Sequence, residues 1–212
     1  DSSMFTIDSS TGALSFITAP DYENPTDSGT NNVYDVTVQV SDGSNNSTQA
    51  VAVTVTNVSD ASPVITSNSG GTAAAVSVAE GTSSVTTVTA TDADAGSKLT
   101  YSITGGADSA KFTLNSTTGA LSFITAPDYE NPTDSGTNNV YDVTVQVSDG
   151  SNTDSQAIAV SVTNVNEASP VITSDAGGTA AAVSVAENTK AVTTVTATDA
   201  DAGSKLTYTI EI

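Results

Sequence analysis

Apolar and polar residues alternate along most of this chain. In Val33–Val40 (VYDVTVQV), Val36, Val38 and Val40 fall on one face and polar residues fall between them. Ala50–Val58 (AVAVTVTNV) and Val85–Thr91 (VTTVTAT) alternate the same way. Thr100–Ile103, Phe112–Leu114 and Ala120–Ile124 are shorter runs of the same kind. A period of two puts successive side chains on opposite faces of a strand, and Val- and Thr-rich runs bounded by Gly, Asn, Asp, Pro and Ser clusters are strand signals. Ala73–Ala79 is rich enough in Ala to suggest a helix, but Val76 and Val78 alternate and Gly70-Gly71 precedes it, so it reads as a strand. Turns are expected at Asp42-Gly43-Ser44, Gly105-Gly106, Thr118-Gly119 and Asn131-Pro132.

The pattern itself recurs. Residues 1–105 and 108–212 align at a constant offset of 107 without a gap, with 85 of the 105 pairs identical, and Thr11–Asn45 matches Thr118–Asn152 without interruption. A period this long is a whole small domain. About seven strands per period, each with one apolar face, predict an all-β chain of tandem β-sandwiches, two sheets packed face to face in each. Unit boundaries are expected where Pro interrupts the pattern, at Ser62-Pro63 and Ser169-Pro170. On that reading residues 1–60 are the back part of one unit, 61–167 a complete unit and 168–212 the front part of a third, a window on a longer array. Series use of one module points to reach, spacing or avidity.

Charge narrows the function. The chain has 4 Lys+Arg, all lysine, against 24 Asp+Glu, for a net charge of −20. Nucleic acid and anionic membrane surfaces both need basic residues, so neither is an expected partner; a cation is. There is no Cys and no His, which excludes a disulfide framework, a catalytic triad base and the usual zinc ligands. No apolar run reaches transmembrane length. An enzyme is not expected, for want of catalytic groups.

Within one unit the acids form short groups at strand ends and turns. Glu80 stands alone, Asp92 and Asp94 form Asp-Ala-Asp, Asp128 and Glu130 form Asp-Tyr-Glu, Asp149 opens Ser-Asp-Gly, and Glu167 sits in the linker with Asn164 and Asn166. Carboxylates at x and x+2 across a turn, with Asn and backbone carbonyls nearby, suit Ca²⁺, which takes six to eight oxygens; Mg²⁺ demands stricter geometry. Solvated turn acids are the alternative, because Asp favours turns in any case.

Taken together, the groups resemble a cadherin repeat. Phe5–Gly12 (FTIDSSTG) and Phe112–Gly119 look like the family's mid-domain signature. Tyr34–Gly43 and Tyr141–Gly150 resemble the strand leading to its A-x-D-x-G motif, with Val40 and Val147 in place of Ala. Asp92-Ala-Asp94 and Asp199-Ala-Asp201 match D-x-D. Asp21-Tyr-Glu23 and Asp128-Tyr-Glu130 sit at D-R-E, and Glu187-Asn188 matches the E-N pair, of which Glu80-Gly81 keeps only the acid. Asn57–Pro63 (NVSDASP) and Asn164–Pro170 (NVNEASP) sit at the D-x-N-D-N-A-P linker. The near-identical, Thr/Ser-rich, Arg-free copies look like the bacterial cadherin-like repeats of giant secreted (RTX-type) adhesins.

The resemblance implies seven-stranded Greek-key sandwiches in an extended array, with Ca²⁺ held between consecutive units. The first junction would draw on Asp21, Glu23, Asn57, Ser59 and Asp60 from below and Asp92, Asp94 and Asp149 from above. The second would draw on Glu80, Asp128, Glu130, Asn164, Asn166 and Glu167 from below and Asp199 and Asp201 from above. Asn57 and Asn164 stand where the family has an acid, Ser59 where it has Asn, and Ala61 and Ala168 where it has a further polar ligand, which implies fewer or weaker ions per junction. The implied function is a calcium-rigidified spacer at the bacterial cell surface that holds a distal adhesive domain away from the cell. The alternative is a module that itself binds carbohydrate or a like domain, for which Tyr22, Tyr34, Tyr129 and Tyr141 are the available platforms; core or corner tyrosines are the simpler reading of Tyr34 and Tyr141. The expected partners are neighbouring repeats of the same chain. The two partial units are also complementary, so head-to-tail self-association is expected, the front part of one molecule completing the back part of the next in an open filament.

Overall fold

The computed structural model describes residues 1–211. The strands are β1 (Phe5–Ile7), β2 (Leu14–Phe16), β3 (Val33–Ser41), β4 (Asn46–Thr54), β5 (Val64–Ile65), β6 (Ala73–Ala79), β7 (Ser84–Thr87), β8 (Ala90–Thr91), β9 (Thr100–Gly105), β10 (Phe112–Leu114), β11 (Ala120–Phe123), β12 (Val140–Ser148), β13 (Thr153–Thr163), β14 (Val171–Ile172) and β15 (Ala197–Thr198). Helical structure among the described residues is confined to two single 3₁₀ turns, Ser2–Met4 and Ser109–Lys111, and no helix is long and apolar enough to cross a membrane.

The fold is all-β, as the alternation predicts. One three-stranded sheet runs β10-β11-β7 and one four-stranded sheet runs β6-β13-β12-β9. Phe112, Leu121 and Phe123 of the first and Tyr141, Val143, Val145, Val147, Ile158, Val160 and Val162 of the second are all buried. The Phe123 ring meets the Tyr141 ring edge-on at 5.1 Å, which fastens the inner faces together, while Phe112 stacks on Phe123 at 4.6 Å. The Tyr141 hydroxyl accepts from the Thr133 backbone N–H at 3.1 Å, and Tyr34 does the same for Thr26 at 3.2 Å. Both tyrosines are therefore core corner residues, which removes them as sugar platforms.

Two runs differ from the sequence reading. Val85–Thr91 is not one strand: β7 pairs with β11 and β8 with β5, so the chain changes sheets at Val88-Thr89. Val88 is fully buried at that step, with its N–H donated to the Gly119 carbonyl at 2.8 Å. The alternation survives the change of partner, so the pattern alone does not reveal it. Ala50–Val58 is also displaced. β4 begins at Asn46 and ends at Thr54, because its register is set by β3 from Ser41 opposite Asn46 to Val33 opposite Thr54. Asp42 closes that hairpin, its Oδ1 accepting from Ser44 and Asn45 at 2.8 and 2.7 Å.

The chain divides into two compact units. One comprises Asp1–Val64, Ala90–Thr100 and Val147–Asp154; the other comprises Ile65–Thr89, Tyr101–Gln146 and the residues from Ser155 onward. In the first, β1 pairs with β2 and β3 with β4, Phe5 stacks on Phe16 at 4.5 Å, and Phe16 meets Tyr34 edge-on at 5.2 Å. The second holds the three-stranded sheet and β6.

Candidate metal centre

Each unit gathers carboxylates from separate loops into two groups whose oxygens lie within 4.8 Å of one another. In the first unit these are Glu23, Asp60 and Asp94, and Asp92, Asp94 and Asp149. In the second they are Glu80, Asp128 and Glu130, and Glu130, Glu167 and Asp201. The trio Glu23–Asp60–Asp94 recurs at +107 as Glu130–Glu167–Asp201, so the same geometry forms twice.

Local hydrogen bonding sets each acid. In the first unit the Asp-Ala-Asp turn is tied by the Asp94 N–H donating to Asp92 Oδ1 at 2.8 Å, and Asp94 Oδ2 accepts from the Ala61 N–H at 3.1 Å. Asp149 Oδ1 accepts from Ser151 and Asn152 at 2.6 Å each, and its Oδ2 accepts from the Ser59 hydroxyl at 3.2 Å. The Asn57 amide donates to the Ala95 carbonyl at 3.1 Å. Asp21 accepts from the N–H groups of Glu23 and Asn24 and lies outside both trios.

In the second unit Glu80 accepts from Val165 at 2.6 Å through Oε1 and from Tyr129 at 2.7 Å through Oε2, tying linker to loop. Asp128 Oδ1 accepts from the Asn131 N–H at 3.0 Å. Glu130 Oε1 accepts from Ala202 and Asp201 Oδ2 from Ala168, both at 2.9 Å, and the Asn164 amide donates to the Ala202 carbonyl at 2.7 Å. Asp199 Oδ1 accepts from the Asp201 N–H at 2.9 Å and belongs to no trio; Asn166 shares a concavity with it. Sequence reasoning missed the roles of Ala61, Ala168 and Ala202. These act through backbone N–H groups, which leave no trace in side-chain chemistry.

The electrostatics follow. Loss of solvation raises Glu23 above the ordinary glutamate range; the carboxylates of Asp94, Asp60 and Asp21 add to this and its own backbone N–H opposes it. Glu167 is raised in the same way, by desolvation first and then by the charges of Glu80, Asp201 and Glu130. Glu80 is lowered by the N–H groups of Val165 and Tyr129, and Asp149 by those of Asn152 and Ser151. Hydrogen bonds to the charged form favour ionisation; desolvation and like charges oppose it.

The donor set fits a hard cation. Asp94 and Asp201 are 4% and 5% exposed, yet Oδ1 of each, and Oδ2 of Asp92, is buried without a hydrogen-bond partner. A buried carboxylate oxygen with no donor costs free energy, and these three point to an acceptor-only environment of the kind Ca²⁺ takes.

Residues 74–165 match the Cadherin domain. Cadherin domains are extracellular repeat modules of adhesion proteins and bind Ca²⁺. Human Protocadherin Fat 1 is 32% identical over 158 residues, which is 73% of this chain and 3% of that protein. This chain therefore spans a small fraction of the curated relative. Mouse Cadherin-23 EC22-24 is 26% identical with a TM-score of 0.60, covering 94% of this chain and 62% of that one. Mouse Protocadherin-24 EC1-3, at 22% identity and a TM-score of 0.63, covers 95% of this chain and 64% of that one and shares the cadherin fold.

Proposed function

We propose that this chain belongs to a calcium-rigidified extender, in which tandem cadherin-like repeats of a large bacterial cell-surface adhesin hold distal binding domains away from the cell. The repeats run 1–60 (back part), 61–167 (complete) and 168–212 (front part). The observation that carries this reading is the recurrence of one carboxylate trio, Glu23–Asp60–Asp94 and Glu130–Glu167–Asp201, around the buried, donor-free Oδ1 of Asp94 and Asp201. Near-identity of the Thr/Ser-rich copies and the absence of Arg support a repetitive spacer of this kind.

The protein's own groups do the positioning. Glu80 joins the Tyr129 loop to the Val165 linker, and Asp201 and Glu130 accept from Ala168 and Ala202. Calcium bound there supplies the positive charge that these crowded carboxylates lack. Glu23, Asp60, Asp92, Asp94 and Asp149 would hold it at one junction and Glu80, Asp128, Glu130, Glu167 and Asp201 at the next, with Asp21, Asn57, Ser59, Asn164, Asn166 and Asp199 around them.

Thermal unfolding in calcium and in excess chelator tests this, with particle length followed by small-angle scattering. A ligand at a hundredfold excess over its Kd contributes about 2.7 kcal/mol, so calcium is expected to raise Tm by roughly 10–20 °C and lengthen the particle. An unchanged Tm and length would return these acids to solvated turns.

A further inference from the structure

The Asp-Tyr-Glu turn of the second unit is held from a place outside the carboxylate groups. Tyr129 lies between Asp128 and Glu130, and both of its backbone polar groups are engaged. Its N–H donates to Glu80 Oε2 at 2.7 Å, and its carbonyl accepts from the Asn139 side-chain amide at 2.9 Å. That carbonyl belongs to the peptide leading into Glu130, and Glu130 is the acid that both trios of this unit share. The first unit repeats the contact: the Asn32 amide donates to the Tyr22 carbonyl at 2.9 Å, between Asp21 and Glu23.

Asn139 is itself anchored through its backbone. Its N–H donates to Oδ1 of the buried Asp134 at 3.0 Å, and its carbonyl accepts from the Val162 N–H of β13 at 2.8 Å. Asn32 has the same ties to Asp27 and Val55, at 3.0 and 2.9 Å. The arrangement is costly. Both asparagines have φ of +61°, in the left-handed region that Asn tolerates better than most residues and Gly better still. Oδ1 of each is buried without a hydrogen-bond partner, and an unmet buried acceptor costs free energy. Backbone strain of this kind gathers at functional sites. Against these costs each side chain makes one bond, to the carbonyl beside a carboxylate of the trios.

We propose that Asn139, and Asn32 in the first unit, is a positioning residue for the cation: its amide fixes the Tyr129–Glu130 peptide and so aims the Glu130 carboxylate at both trios. The proposal rests on the cation reading of those trios and adds a residue that acts through the backbone of the turn and not as a ligand. Glu80 holds the Tyr129 N–H and Asn139 holds its carbonyl, so the turn is fixed on both sides before a cation arrives. Without the amide, repulsion among Glu80, Asp128 and Glu130 has one restraint fewer to oppose it. A preorganised site then becomes one that calcium has to assemble, which weakens binding.

Calcium titration of the whole chain against a chromophoric chelator, with melting curves in calcium and in excess chelator, tests the proposal. Asn139→Gly removes the amide and leaves a residue at ease in the left-handed region. It is expected to weaken calcium binding at the second-unit sites about tenfold and to shrink the calcium-induced rise in Tm, with little change of Tm in chelator. Asn32→Gly poses the same question in the first unit and decides it there if the second unit does not fold with its own change. Asn138→Ala is the control. It removes the side-chain oxygen that accepts from the Val140 N–H at 3.0 Å in the same loop and leaves the bond to Tyr129 in place. It is expected to lower Tm equally in both buffers and to leave calcium affinity unchanged. Unchanged affinity in the glycine variants, beside a wild-type chain that binds calcium, would overturn the positioning role and leave the cation reading standing. An equal loss of affinity in Asn138→Ala would overturn it too, because loosening the loop would then suffice. A wild-type chain that binds no calcium would overturn both.

Discussion

Val33–Ser41 and Val140–Ser148 are the same nine residues, VYDVTVQVS, and they lead different lives. β12 lies between β13 and β9, whereas β3 pairs with β4 alone. Val147 is fully buried and Val40, its repeat partner, is 69% exposed. Tyr34 and Tyr141 are equally buried, because each is held locally by its own aromatic neighbour and its own threonine N–H. The end of the strand nearest the tyrosine is specified locally; the far end is specified by what packs on it. Ala73–Ala79 and Ala180–Ala186 make the point more sharply, since one sequence is a strand and its duplicate is not. Strand formation here measures the presence of a partner more than intrinsic preference.

Paired glycine substitutions probe that difference most strongly. Gly12 and Gly119 both have φ near +70°. A Cβ at Gly12 meets open space, whereas at Gly119 it would run into the Val88 carbonyl oxygen where the chain changes sheets. Gly12→Ala should cost only the left-handed backbone penalty, about 1–2 kcal/mol. Gly119→Ala adds a clash in a packed core and should cost about 3 kcal/mol or more. Denaturant unfolding of the two variants checks this, and equal losses would mean that the Val88 carbonyl does not govern the cost at Gly119.

Valine truncation gives the next largest contrast. Val147→Ala removes packing from a fully buried site and should cost about 2 kcal/mol; Val40→Ala should fall within about 0.5 kcal/mol of zero.

The alternation made the strands legible, and the 107-residue period made the duplication legible. The acids that converge were marked by the x, x+2 spacing in Asp92-Ala-Asp94 and Asp128-Tyr-Glu130. Hidden from the sequence were features whose cause lies far along the chain. The break at Val88-Thr89 follows from the Gly119 carbonyl, and the burial of Asp94 from the Ala61 N–H. Asp108 and Asp134 are buried acids of a different kind. Asp108 accepts from Ser135 and Asp142, and Asp134 from Asn138 and Asn139. Only the bonding separates these structural acids from Asp94 and Asp201, whose Oδ1 accepts nothing.

The smallest predicted effect compares Glu80 with Glu167, one rich in N–H donors and the other crowded by carboxylates. Glu167, like Glu23, is raised above 4.5, so the folded chain holds that proton more tightly than the unfolded chain. Its contribution to stability is complete below pH 4.5 and is lost as pH rises through the raised value. Glu80 is lowered below 4.5, so its contribution is present above pH 4.5 and disappears as pH falls through the lowered value. In excess chelator, Tm should therefore climb slightly as acidification carries Glu23 and Glu167 through their raised values, and then fall as Glu80 passes through its lowered one. In calcium the climb should turn into a decline, because protons then displace a bound cation from Glu23 and Glu167. Melting curves across that range in both buffers decide it. Parallel profiles in calcium and chelator would show that these carboxylates respond to pH without a metal in common.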